Sequence, residues 1–207
     1  MRYIALKLMY NGTAYHGWQV QKTETTVAQT LERGLSMVYG QPIKCTGCGR
    51  TDAGVHAKGQ VANFHCESAM PAAETLQNLR RYLPEDIGIT SCKEVSPRFH
   101  ARLNAKEKTY CYRIWNSGAP CVFERRFVTV MPEVLDVEAM ERAADFLLGQ
   151  HDFSAFCGNK KMKKSTVRRL DSLEITRQGE EIWLTFTGNG FLYNMVRILT
   201  GTLIEVG

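Results

Sequence analysis

The sequence has no apolar run approaching the roughly 18 residues that span a bilayer, and its first ten residues, MRYIALKLMY, alternate in character. Lys7 falls where a secretory leader needs an unbroken apolar core. Neither a membrane segment nor a leader is expected, and a cytoplasmic location follows as the default. A strong charge bias is also missing, since 26 Lys plus Arg against 21 Asp plus Glu leave a net charge of +5. That excess favours a polyanionic partner only where the basic residues cluster. Composition shows no drift towards disorder, with 44% hydrophobic and 23% charged residues. The seven cysteines are odd in number and scattered, which argues against a disulfide framework. Cys45 and Cys48 do form a C-x-x-C, with His56, His65 and Cys66 downstream, but the second spaced pair of a zinc site is absent.

What is present reads as two α+β halves, expected at 1–104 and 105–207. Ile4, Leu6, Leu8 and Tyr10 alternate as a half-buried strand that ends at Asn11-Gly12. Val27, Leu31, Leu35 and Val38 then take helical spacing, with Thr26 and Gln29 as a capping box and Gly40 as the stop. Strands are expected at about 42–47 and 60–66, a helix on Ala72, Leu76, Leu79 and Leu83 before Pro84, and a strand at 87–95. This β-α-β-β-α-β order is that of a ferredoxin-like or RNA-recognition-like sheet with helices on one side. The second half repeats the order without the residues. It has strands at 108–115 and 127–130, a helix after Asp136, a hairpin over 167–187 turning at Gln178-Gly179, and a helix over 190–205. An obvious closing strand is lacking.

Four segments are candidates to carry chemistry. GCGRTDAGVHA (residues 47–57) suits a tight loop whose glycines admit a ligand close to the backbone while Arg50, Asp52 and His56 point at it; its plainer reading is a polar turn. In FLYNMVRILTG (residues 191–201), Phe191, Leu192, Met195, Ile198 and Leu199, with Thr202 beyond, form a buried stripe. Asn194, Arg197 and Gly201 share another face. A guanidinium in such apolar company needs a carboxylate, and Asp52 is a candidate; a structural ion pair or an arginine snorkelling to solvent are the alternatives. Basic residues cluster twice: Lys160, Lys161, Lys163 and Lys164 around Met162, with Arg168 and Arg169 beyond, and Arg98, His100 and Arg102 before Lys106 and Lys108. Phe153 and Phe156 precede one cluster, and Phe99, Tyr110 and Tyr112 surround the other, a combination suited to phosphate contact plus base stacking.

Taken together, these motifs resemble the TruA-type tRNA pseudouridine synthase family. The resemblance rests on YNGTAYHGWQVQ (10–21), GRTDAGVHAKGQV (49–61), FHAR (99–102), KTYCYRI (108–114), HDFSAF (151–156), TVR (166–168) and GFLYNMVRILTGTL (190–203), all in the family's order. It implies two ferredoxin-like subdomains with mostly antiparallel sheet and an active-site cleft between them. It further implies isomerisation of uridine to pseudouridine at positions 38, 39 and 40 of the tRNA anticodon arm by a homodimer. By the same resemblance Asp52 is the nucleophile, attacking either the uracil ring or the ribose C1′, and Arg197 is its ion-pair partner. Tyr110 stacks on the uracil and is a candidate base for the C5 proton. Arg50 takes the space of the extruded base, while Phe99, His100, Ala101, Arg102 and Leu103, with Lys160, Lys161, Met162, Lys163 and Lys164, match segments that contact RNA. His56 is expected to orient the loop, and neither a metal nor any other cofactor is implied.

Two departures stand out. Cys48, expected as a small buried thiol, occupies a position where the family commonly has alanine. The sequence also stops at Gly207, where the family continues into a final strand, so an open sheet edge is expected. The rival reading is a noncatalytic RNA-binding protein of the same fold, and a third makes Cys45, Cys48 and His56 zinc ligands.

Overall fold

The computed structural model describes residues 1–207 and divides into two units, Met1–Ala105 and Lys106–Gly207. In the first, β1 (Arg2–Tyr10), α1 (Val27–Tyr39), β2 (Thr46–Gly47), β3 (Ala57–Cys66), α2 (Ala72–Tyr82) and β4 (Ile87–Glu94) build a sheet of order β2-β3-β1-β4. Every adjacent pair is antiparallel. Alternation along β1 sends Ile4, Leu6, Leu8 and Tyr10 to one face, where they meet Phe64, Leu31, Leu35 and Leu79 in a closed core. α1 begins where the Thr26 hydroxyl accepts the Gln29 N–H, and it ends at Gly40 in the left-handed conformation.

The strand expected at 42–47 shrinks to two residues. Side chains of α1 take over the hydrogen bonds a ladder would have made: the Ile43 N–H donates to Ser36 Oγ and the Cys45 N–H to Glu32 Oε1. Buried Glu32 also pairs with Lys44 at 2.8 Å, so its charge is compensated.

In the second unit, β5 (Lys108–Trp115), β6 (Thr129–Val130), α3 (Val137–Asp145), β7 (Gly149–Asp152), β8 (Val167–Gln178), β9 (Glu181–Gly188) and α4 (Met195–Val206) form a sheet of order β6-β5-β9-β8-β7. All pairs are antiparallel except β5 with β6. The chain is therefore α+β with two mostly antiparallel sheets. On one sheet face Ile114, Ile182, Leu184 and Phe186 pack with Met140 of α3 and with Leu199 and Leu203 of α4. The outer edge of β5 is paired only at Ile114 and Trp115, by β6.

Three expectations change here. β7 forms where the sequence carries no strand signature. α4 starts five residues later than its periodicity suggests, because Asn194 takes a left-handed φ of 58° and breaks the helical run. Within α4 the buried positions are Met195, Leu199, Thr200 and Leu203, so Thr202 faces solvent. Arg197 is likewise exposed, not embedded among apolar side chains.

On the opposite face of the second sheet, Arg113 donates to both Glu181 oxygens at 2.7 and 2.8 Å and lies 4.8 Å from the centre of the Trp183 ring. This bidentate pair lowers the Glu181 carboxyl and raises the guanidinium. A lowered folded-state pKa contributes stability above the ordinary carboxylate range, lost as pH falls through the folded value. Denaturant titrations between pH 7 and pH 3 should show Glu181→Gln less stable than wild type at pH 7, with a gap that narrows on acidification. A constant gap would show that the ion pair adds no pH-dependent stability.

Candidate active site and nucleic-acid interface

The Asp52 loop joins β2 to β3 and lies in a cradle made by residues 11–18, the connection from β1 to α1. Main chain meets main chain. The Trp18 N–H donates to Thr51 O at 3.1 Å and the Gly54 N–H to Tyr15 O at 3.1 Å, while the Val55 N–H closes a turn on Asp52 O at 3.2 Å. Such proximity leaves no room for side chains. A Cβ at Gly12 would stand 2.1 Å from Val55 O, and one at Gly17, whose φ is +82°, would stand 2.4 Å from Thr51 O. The motif YNGTAYHGWQVQ is thus the other half of the aspartate loop.

Side chains complete the clamp. The Tyr10 hydroxyl lies 2.9 Å from Thr51 Oγ1, and the Gly12 N–H donates to His56 Nδ1 at 3.0 Å. Tyr15 is buried and donates its hydroxyl to Asp86 at 2.7 Å; burial, reinforced by that carboxylate, pushes its pKa well up and keeps it a donor. Gln60 on β3 is buried and braces the loop's entry, donating to Gly49 O at 2.9 Å and accepting from the Cys48 thiol at 2.9 Å. Sequence reasoning missed Gln60. Its only signal was an amide placed at an inward position of an alternating strand.

Asp52 itself is half-exposed, and within the first unit its carboxylate takes no hydrogen bond. The structure has spent backbone, hydroxyls and amides on placing it, leaving both oxygens available for chemistry. Arg50 is exposed two residues earlier. Cys48 is half-exposed, not buried, and its thiol donates to Gln60 Oε1. The Cys48 thiol and His56 Nδ1 are engaged as described, and no group of three His, Cys, Asp or Glu side chains is placed to hold a metal ion.

Residues 96–104 form a compact turn over the helix-free face of the first sheet. His100 Nδ1 accepts the N–H groups of Arg102 and Leu103 at 3.2 and 3.3 Å, and Asn104 closes the turn on the His100 N–H at 2.7 Å. Ala101 is 3% exposed and donates its N–H to Asn63 Oδ1 of β3 at 2.8 Å. It therefore anchors the turn and does not face a ligand. Phe99 and His100 are half-buried, whereas Arg98, Arg102 and Leu103 are exposed. Asn63 is a second positioning residue that the sequence did not reveal.

In the second unit, Tyr110 on β5 is half-buried with its ring edge-on to Phe191, the centroids 5.1 Å apart. Lys160, Lys161, Lys163 and Lys164 are exposed on the connection between β7 and β8, held down by Met162, which packs on the core. Phe153 is 1% exposed within that core and so cannot stack on a base, a correction to the aromatic pairing expected beside this run. Arg197, on the first turn of α4, makes no hydrogen bond or ion pair within its own unit.

Comparison with known proteins places these features. The sequence profile described as tRNA pseudouridine synthase matches residues 7–104 and 143–207, which include Asp52, residues 99–103, the lysine run and Arg197 but not Tyr110. A protein of Acetivibrio thermocellus named tRNA pseudouridine synthase A is 45% identical over 207 residues, covering 100% of this chain and 85% of its own length. Proteins of Clostridium tetani, named tRNA pseudouridine synthase A 1, and Halalkalibacterium halodurans, named tRNA pseudouridine synthase A, are 46% and 44% identical, each over 100% of this chain and over 85% and 79% of their own lengths.

The clamp predicts a defined phenotype for Gln60→Ala. Removing the buried amide strands Gly49 O and costs about 1–3 kcal/mol. Circular dichroism should report a native fold with a lower melting temperature, and protease cleavage should become faster within residues 48–56. Unchanged cleavage there would mean that Gln60 does not hold the loop.

Proposed function

The chain belongs to the tRNA pseudouridine synthase family, and from that premise we propose that it isomerises uridine to pseudouridine at positions 38, 39 and 40 of the tRNA anticodon stem-loop, with Asp52 as nucleophile. The observation that carries this reading is the half-exposed Asp52 carboxylate, uncommitted within its unit on a loop locked by main-chain contacts. The reaction breaks the bond from ribose C1′ to uracil N1 and forms one from C1′ to C5. The C5 proton departs and N1 regains one, so atoms and electrons balance within the substrate. Such a sequence calls for a nucleophile, a positioned base and a proton acceptor.

In this reading Arg197 supplies the positive charge that keeps Asp52 ionised, and Tyr110 stacks on the uracil and accepts the C5 proton. Arg50 fills the gap left by a uridine that leaves its stack, as chemistry on a paired base requires. Arg98, Arg102 and the lysines at 160, 161, 163 and 164 hold phosphates. Contacts of that kind read shape and backbone more than sequence, which suits an enzyme serving three neighbouring positions. The active form is a homodimer in which one tRNA touches both subunits, and it works in the cytoplasm beside its substrate.

The test uses unmodified tRNA and maps pseudouridine by chemical labelling. Wild-type protein should convert positions 38 to 40, and Asp52→Ala should lose on the order of a thousandfold or more in rate while still binding tRNA. Conversion by Asp52→Ala within tenfold of wild type would remove Asp52 as nucleophile. Binding without conversion by the wild-type protein would favour a noncatalytic RNA-binding role.

A further inference from the structure

The connection between β5 and β6 holds a feature that the family match does not cover, since that match skips residues 105–142. Residues 116–128 are pinned to the sheet at several points. The Trp115 indole N–H donates to Ala119 O at 2.9 Å, Arg113 Nη2 donates to Glu124 Oε2 at 2.9 Å, and the Tyr112 hydroxyl lies 2.8 Å from Thr129 Oγ1. The Phe127 N–H closes a turn on Glu124 O at 2.7 Å. This loop is an anchored element.

What it presents is unusual for a held loop. Phe123 is 91% exposed and Val122 61%, with Phe127 and Val130 exposed nearby. Arg125 and Arg126 are exposed beside them, and neither makes an ion pair. Glu124 is the only acidic residue between Asn116 and Thr129 that could neutralise them, and Arg113 already holds it. An aromatic ring and two uncompensated guanidinium groups therefore project from one fixed turn.

We propose that residues 122–126 form an additional RNA-contact surface, with Arg125 and Arg126 on phosphates and Phe123 stacked on an unpaired base. The inference rests on the tRNA-modifying role proposed above and adds a contact to it. Charge selects this occupant over a second copy of the chain. A second copy of the chain also carries a net charge of +5 and so offers no surplus of acid to meet the two guanidinium groups. A polynucleotide offers phosphates for the guanidinium groups and a π face for the ring. The loop lies at the β6 edge of its sheet, while the lysine run borders β7 at the other edge, so the width of a five-stranded sheet, about 19 Å, separates the two basic sites. One RNA can engage both.

The experiment measures tRNA binding by fluorescence anisotropy over a series of salt concentrations for wild type, Arg125→Ala/Arg126→Ala and Phe123→Ser. The same preparations are assayed for pseudouridine formation and, by light scattering, for oligomeric state. The arginine variant should bind about tenfold or more weakly, and its slope of log affinity against log salt should fall by about 1.4–1.8, the value for two lost phosphates. Phe123→Ser should bind about fivefold or more weakly with an unchanged slope, as expected for one lost stack. Wild-type affinity and slope in both variants, alongside active wild-type enzyme, would overturn the proposal and leave the proposed function standing. A change in oligomeric state with unaltered RNA binding would also overturn it, making the loop a subunit contact. Absence of conversion by wild type would instead count against the proposed function, and the binding slopes would still decide the loop.

Discussion

Asp52 is placed by a backbone-to-backbone contact that tolerates no side chain between its two strands of chain. Residues 12–18 and 51–55 touch through carbonyl oxygens and N–H groups, and a Cβ at Gly12 or Gly17 would fall within 2.4 Å of a carbonyl oxygen. Packing this close makes position a property of the main chain, where few rotatable bonds remain to blur it. Hydrogen bonds made with the side chains of Tyr10, Gln60 and His56, the last as acceptor, act on a geometry already fixed. The glycines and polar residues of two distant motifs are one constraint seen from both sides.

The sheets divide their faces between apolar core and polar connections. In each unit one face is closed by two helices over a continuous apolar core. The other face is left to polar connections: residues 96–104 dock through Ala101 on Asn63, and Glu124 docks on Arg113 beside Trp183. Segments anchored in this way can present charged and aromatic side chains to a ligand without drawing on the core. Their exposed side chains can therefore vary at little cost to folding.

Much of the fold was legible because it follows from local rules. Alternation in β1, the Thr26 cap and Gly40 stop of α1, and the β8–β9 hairpin all depend on residues close in sequence. The misreadings depend on distant partners or on a single dihedral angle. Residues 42–45 alternate adequately for a strand, but side chains of α1 captured the N–H groups of Ile43 and Cys45. The left-handed Asn194 delayed the start of α4, and the core packs on Met195, Leu199 and Leu203, which leaves Arg197 and Thr202 exposed. Phe153 counted as a stacking residue from its neighbours in sequence, while its neighbours in space are the core. For the site, the chemistry-bearing residue types were visible, whereas Gln60 and Asn63 were not, since a buried amide on a strand gives no pattern until its partner is known.

A clamp built from main chain has a chemical consequence as well as a structural one. A carboxylate fixed by several hydrogen bonds to its own oxygens would be well oriented, but those bonds stabilise its charge and reduce its nucleophilicity, and they must be released as a new bond forms. Holding the residues on either side of Asp52 fixes its Cα and spares its oxygens. For the nucleophilic role proposed for Asp52, the entropy of alignment is then met during folding, when Gly12 and Gly17 admit the loop, and not at each turnover. Remaining freedom is confined to the two side-chain torsions of Asp52, few enough for the cationic partner and substrate proposed above to set.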